Sequence, residues 1–141
     1  MPLFGKNTAP ADEDDWYAAA QPMIDWASSV PRADLAVEVM EVFGSNDVGS
    51  CHTREIHAFL FGVPVQNPVG LRGDPRLARA LEQVAIPVRE ALQLLEHAEL
   101  VCGYLIDGMS TWVWRATRLG LATMANGKHA VRQRIQDRTG L

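Results

Sequence analysis

Apolar residues recur every three or four positions through the first hundred residues, and then the period falls to two. From Asp15 to Val30, DWYAAAQPMIDWASSV, the side chains of Trp16, Ala19, Met23 and Trp26 form one helical stripe. Pro22 sits inside it, where a missing N–H and a ring clash either kink the helix or divide it in two. The next stretch, PRADLAVEVMEVFG, sets Pro31 near a first turn, keeps the period at Leu35, Val39, Val42 and Phe43, and stops at Gly44, which predicts a helix. After the turn-rich GSNDVGSCH, Thr53 can cap a short helix REIHAFLFG that Gly62 and Pro64 terminate, and VPVQNPVGLRG reads as a loop.

Asp74-Pro75 is a cap followed by a first-turn proline, and RLARALEQVA carries Leu77, Leu81 and Val84 on one side. Ile86-Pro87 reads as a tight break, after which VREALQLLEHAEL forms a second helix with Val88, Ala91, Leu92, Leu95 and Ala98 inward and Arg89, Gln93, Glu96 and His97 outward. Beyond Leu100, VCGYLI and TWVWRAT flank Asp107-Gly108-Met109-Ser110, a strong hairpin signal that puts Trp112 and Trp114 on one face and Val113 and Arg115 on the other. A last helix runs from Arg118 or Leu119 to Arg138, ended or divided at Asn126-Gly127. The expected fold class is therefore mainly α with a small β-hairpin (α+β), one domain over residues 15–141 behind a flexible tail at 1–14.

Composition narrows the classes. A chain of 141 residues with 48% hydrophobic content suits a single core. Neither a membrane span nor a signal peptide is legible, so the expectation is a soluble, cytoplasmic protein with no membrane partner. Cys51 and Cys102 form no CxxC pair, which points to reduced thiols. The net charge of −4 argues mildly against a nucleic-acid partner, but it is unevenly spread: residues 1–47 hold two basic and nine acidic residues, a net of −7, and residues 48–141 hold eleven and eight, a net of +3. The final stretch KHAVRQRIQDR concentrates Lys128, Arg132, Arg134 and Arg138.

The run RLARALEQVAIPVREALQLLEHAELVCGYLIDGMSTWVWRAT resembles the core of winged helix-turn-helix transcriptional regulators of the broad MarR or PadR type. The resemblance covers residues 75–117 and extends upstream to Ala33; LLEHAELV stands where the recognition helix exits into the wing, with Ala98-Glu99 where that family often has Ala-Gly. It implies a winged helix-turn-helix with extra N- and C-terminal helices, binding double-stranded DNA as a homodimer to regulate transcription. Chemistry agrees in part. Arg89 and Gln93, one turn apart, are of the types that pair with guanine and adenine edges in the major groove, and a helix N-terminus near Val88 would attract a phosphate. His97 extends that row, and Arg76, Arg79, Arg115 and Arg118 are candidates for backbone contacts. The Asp107-Gly108-Met109-Ser110 tip, however, lacks the Arg or Lys a groove-probing wing commonly carries.

Three other readings share the same residues. An exposed row of Arg, Gln, Glu and His is also what an ordinary solvated helix face shows. A winged-helix protein-protein interaction module without DNA binding is the main alternative, favoured by the acidic N-terminal half, the acid-tipped hairpin and the low pI. Trp16 and Trp26 either form a dimerisation element or fill the core. Cys51, His52 and His57 match no established zinc spacing, so no metal and no cofactor is expected. No phosphate loop, dinucleotide fingerprint or HExxH motif occurs, and no enzyme is expected.

Overall fold

A computed structural model of the chain describes the backbone of residues 13–45, 50–52, 56–57, 60, 75–105 and 112–141. Within these, five helices pack beside a small antiparallel sheet: α1 (Glu13–Ser29), α2 (Arg32–Ser45), α3 (Pro75–His97), α4 (Arg118–Ala125) and α5 (Lys128–Thr139), with β1 (Ser50–His52), β2 (Val101–Leu105) and β3 (Trp112–Ala116). The mainly helical α+β class is as expected. Residues 1–12, most of the short helix expected at 54–62, the loop after it and the Asp107-Gly108 turn lie outside the described residues, although Ile56, His57 and Leu60 have helical backbone.

One apolar cluster holds the elements together. The middle of α2 supplies Leu35, Ala36, Val39, Met40 and Phe43; α1 brings Met23, Ile24 and Ala27; α3 brings Val84, Val88, Ala91, Leu92 and Leu95; α5 brings Val131 and Ile135. Trp26 packs against this cluster as a half-buried side chain. The side chain of Trp16 lies outside the described residues.

Both interior prolines stay within continuous helices, which corrects the expected break at Ile86-Pro87. A proline in a helix interior costs about 3 kcal/mol. Burying Val84, Val88, Leu92 and Leu95 on one unbroken stripe returns roughly 1.5–3 kcal/mol for each side chain, and a turn at Pro87 would rotate the first of them out of register with the rest. Tertiary burial therefore overrides the local breaker. Pro22 is exposed and lies inside α1, so that segment is one helix from Glu13 rather than two.

The helix-to-hairpin junction is built from hydrogen bonds. Leu100 N–H donates to the Leu95 carbonyl (2.9 Å) and Glu99 N–H to that of Glu96 (2.9 Å), a Schellman ending in which Glu99 takes the left-handed position at φ 64°. Thr117 then caps α4 by accepting from Gly120 N–H (2.9 Å), while its hydroxyl donates to the Glu99 carbonyl (2.6 Å). Gly120 permits the close approach: a Cβ there would lie 2.0 Å from the Leu100 carbonyl oxygen. The expected last helix is two helices, divided at Asn126-Gly127.

β3 is the central strand, in the order β1-β3-β2. β2 and β3 are the expected hairpin, with Gly103 opposite Trp114 and Leu105 opposite Trp112. β1, opposite Val113 to Arg115, occupies a segment that reads as a turn in the sequence, because three residues are too few to display alternation.

Candidate nucleic-acid interface

Because α3 runs unbroken, Arg89, Gln93 and His97 lie on the outward side of a single helix of 23 residues, about 35 Å long at 1.5 Å per residue. All three are exposed, as are Ile86 and Glu96 on the same side. Glu96 is not a free member of the row: its carboxylate accepts from Gly103 N–H (3.2 Å) and ties α3 to β2. Continuity also corrects the phosphate site expected near Val88. That residue lies in mid-helix and is buried, so no free N-terminal amides exist there. The N-terminus of the helix is at Pro75, with Arg76 and Arg79 following at once; their side chains lie outside the described residues.

The row divides between two clefts. Toward the sheet, Arg89 borders a cleft of about 270 Å³ whose other walls are Ala85, Ile86, Leu92, Trp112 and Trp114. The two indoles stack with ring centroids 6.2 Å apart, and the Trp114 ring lies over Gly103, where a Cβ would come within 2.9 Å of it. Away from the sheet, Gln93 and His97 border a cleft of about 440 Å³ shared with Arg32, Glu90 and Arg138. Arg32 is fixed there by an ion pair with Glu90 and by donation to the Ala27 carbonyl (2.9 Å).

Ion pairing sorts the basic residues into two groups. The C-terminal concentration of charge is committed internally: Lys128 to Glu38 (2.9 Å) and Glu41 (3.4 Å), Arg132 to Asp34 (3.0 Å), and both Arg134 (2.7 Å) and Arg138 (3.0 Å) to Glu99. The asymmetry between an acidic first third and a basic remainder is thus partly satisfied across the α2–α5 contact. Arg89, Arg115 and Arg118 are exposed and have no ion pair among the described residues. A guanidinium left unpaired and solvated is the kind that a phosphate can recruit without breaking an existing contact.

The expected contact residues do not all converge. Strand alternation puts Arg115 on the face of the sheet opposite Trp112 and Trp114, away from the cleft that Arg89 borders. Arg118 opens α4, beside the end of α3. His57 is buried with Nε2 unpartnered among the described residues, and burial lowers its pKa to about 4. No group of three metal-ligating side chains occurs among the described residues; Cys51 and His52 form part of β1, their side chains outside the description. Sequence reasoning missed the Trp-lined cleft, because taking Ile86-Pro87 as a break separated Ile86 from Arg89. No helix among the described residues is long and apolar enough to cross a membrane.

No family model matches the chain, and no curated protein or solved structure matches it.

Proposed function

We propose that this chain is a winged-helix DNA-binding regulator of transcription that presents α3 to the major groove. The observation that carries the reading is a long helix whose exposed side bears Arg89 and Gln93 and which turns at once into a hairpin closed by a third strand. With α3 continuous, the supporting helix of the motif moves upstream, to the helical segment at Ile56, His57 and Leu60, whose side chains are buried. Arg89 and Gln93 read base edges. Arg76 lies 13 residues from Arg89, about 20 Å along the axis, which exceeds the roughly 12 Å major groove, so Arg76 and Arg79 contact phosphates outside the segment being read. Arg115 and Arg118, unpaired among the described residues, add backbone contacts, and two copies address two half-sites.

The reading as a protein-interaction module draws on a different observation, the exposed Ile86, Leu105 and Trp112. Its acidic N-terminal route is weakened because Asp34, Glu38 and Glu41 already hold Lys128 and Arg132. Selection of bound duplexes from a random pool separates the two. A regulator enriches a defined motif; a protein-interaction module enriches nothing, even at low salt.

A further inference from the structure

We infer that Ile86 reads the 5-methyl group of a pyrimidine in the base pair next to the one that Arg89 addresses. The chain then distinguishes thymine from uracil at that position, and 5-methylcytosine from cytosine. The inference rests on the DNA-binding reading and adds to it a contact of a different chemistry.

The continuity of α3 sets the position. Pro87 lies inside the helix, so Ile86 belongs to the same helical frame as Arg89 and Gln93. At roughly 3.6 residues per turn, Ile86 and Gln93 are about 20° apart around the axis, and Arg89 completes a sector of about 60°. At roughly 1.5 Å per residue, Arg89 lies about 4.5 Å along the axis from Ile86, and Gln93 about 10.5 Å. The three therefore fit within the roughly 12 Å of the major groove, and the first step is close to the base-pair spacing of about 3.4 Å. A groove that seats Arg89 and Gln93 also receives Ile86.

The side chain then specifies what it reads. Ile86, 67% exposed, is the most exposed large apolar side chain among the described residues. It carries no donor or acceptor, and in the major groove the thymine methyl is the one apolar group that a standard base pair presents. 5-Methylcytosine presents the same group at the same carbon. Trp112, 41% exposed, lines the cleft that Ile86 and Arg89 border and extends the apolar surface beside them. Removing one methyl group from water against that surface favours binding by about fourfold. An adenine in the same place would press its amino group against Ile86 without an acceptor, which opposes the exchange.

The test uses the full chain and the duplexes it enriches from a random pool, with affinity read by fluorescence anisotropy. Deoxyuridine replaces each thymine of one half-site in turn, which removes the methyl and keeps every hydrogen-bonding group. One thymine is expected at which the wild type loses about fourfold in affinity. At that position a cytosine pair is then compared with and without its 5-methyl group, and the methylated duplex should bind about fourfold more tightly. Ile86→Ala should bring both ratios below about twofold, whereas Ile86→Val, which keeps a branched apolar side chain, should retain most of each. Alanine suits an exposed helix position, so the variant keeps its fold and the preferences set by Arg89 and Gln93. A uracil scan without effect, or a methyl effect that survives Ile86→Ala, overturns the assignment, while an enriched motif still supports the DNA reading. A response to thymine alone refutes the extension to cytosine. If no motif is enriched, the DNA reading falls and this inference with it.

Discussion

Glu99 holds a backbone conformation that suits glycine, and the structure shows what offsets it. In the left-handed region a residue with a Cβ loses about 1–2 kcal/mol relative to its right-handed conformation, which glycine does not. The Glu99 carboxylate takes both Arg134 and Arg138, and two ion pairs of partly exposed groups contribute roughly 0.2–1 kcal/mol each. Replacing Glu99 by Ala removes the pairs and keeps the strain, so stability should fall by about 1 kcal/mol, a Tm decrease on the order of 4 °C for a chain this size. Replacing it by Gly removes the pairs and the strain together, and the two effects roughly cancel. Arg134 retains its bond to the Ala98 carbonyl in both variants (3.0 Å), which limits further losses. Urea and thermal unfolding of the three proteins should therefore order them wild type and Glu99→Gly together, with Glu99→Ala below. In 0.5 M salt the gap between wild type and Glu99→Ala should narrow, because screening weakens the pairs, while the gap between the Ala and Gly variants should persist. If Glu99→Gly is as unstable as Glu99→Ala, the conformational part of the reasoning is wrong.

Other perturbations follow from the same geometry. Gly120→Ala places a Cβ 2.0 Å from a backbone oxygen that no side-chain motion can clear, so it should lower stability by about 3 kcal/mol, the upper end of overpacking costs, in urea unfolding. Thr117→Ala removes both the α4 cap and the link to Glu99 and should lower stability by about 1–2 kcal/mol, whereas Thr117→Ser, which keeps the hydroxyl, should recover most of it. His57 has its folded pKa lowered from 6.5 to about 4 by burial, so the unfolded chain takes up its proton first as the pH drops. That stability contribution is whole above pH 6.5 and declines as pH falls from 6.5 towards 4, by about 2 kcal/mol at pH 5. His57→Leu should flatten the urea midpoint between pH 7 and pH 5; an equal slope in both proteins contradicts the assignment.

Regular, repeated signals made most of the fold legible. The apolar periods of α2 and of Val88 to Ala98 are set by the stripes that form the core, and the hairpin by its two apolar runs around Asp107-Gly108. Local punctuation was a poorer guide where packing opposed it. Pro87 is a breaker on local grounds, yet α3 crosses it because Val84 and Val88 must face the same core. β1 was hidden because its pairing with β3 is long-range and its three residues have no period of their own. At the candidate site, the residue types on α3 were legible, and so was the basic C-terminal run. What the sequence lacked was the pairing pattern: Lys128, Arg132, Arg134 and Arg138 are engaged with acids distant in sequence, while Arg89 is left unpaired among the described residues. That distinction depends on how α2 and α5 meet, which no local pattern encodes.

The central claim is that the exposed side of α3 reads duplex DNA through Arg89 and Gln93. The most direct measurement is the affinity of wild type, Arg89→Ala and Gln93→Ala for duplexes selected from a random pool, followed by fluorescence anisotropy across a salt series. For wild type, log K should fall linearly with log salt with a slope of about −7, as four arginine–phosphate contacts from each of two copies would give at about −0.9 per contact. Arg89→Ala and Gln93→Ala should each lose about 1–3 kcal/mol on the selected motif and relax the preference at the base pairs they face. If no motif is enriched, or if both variants keep wild-type affinity and preference, α3 does not read DNA.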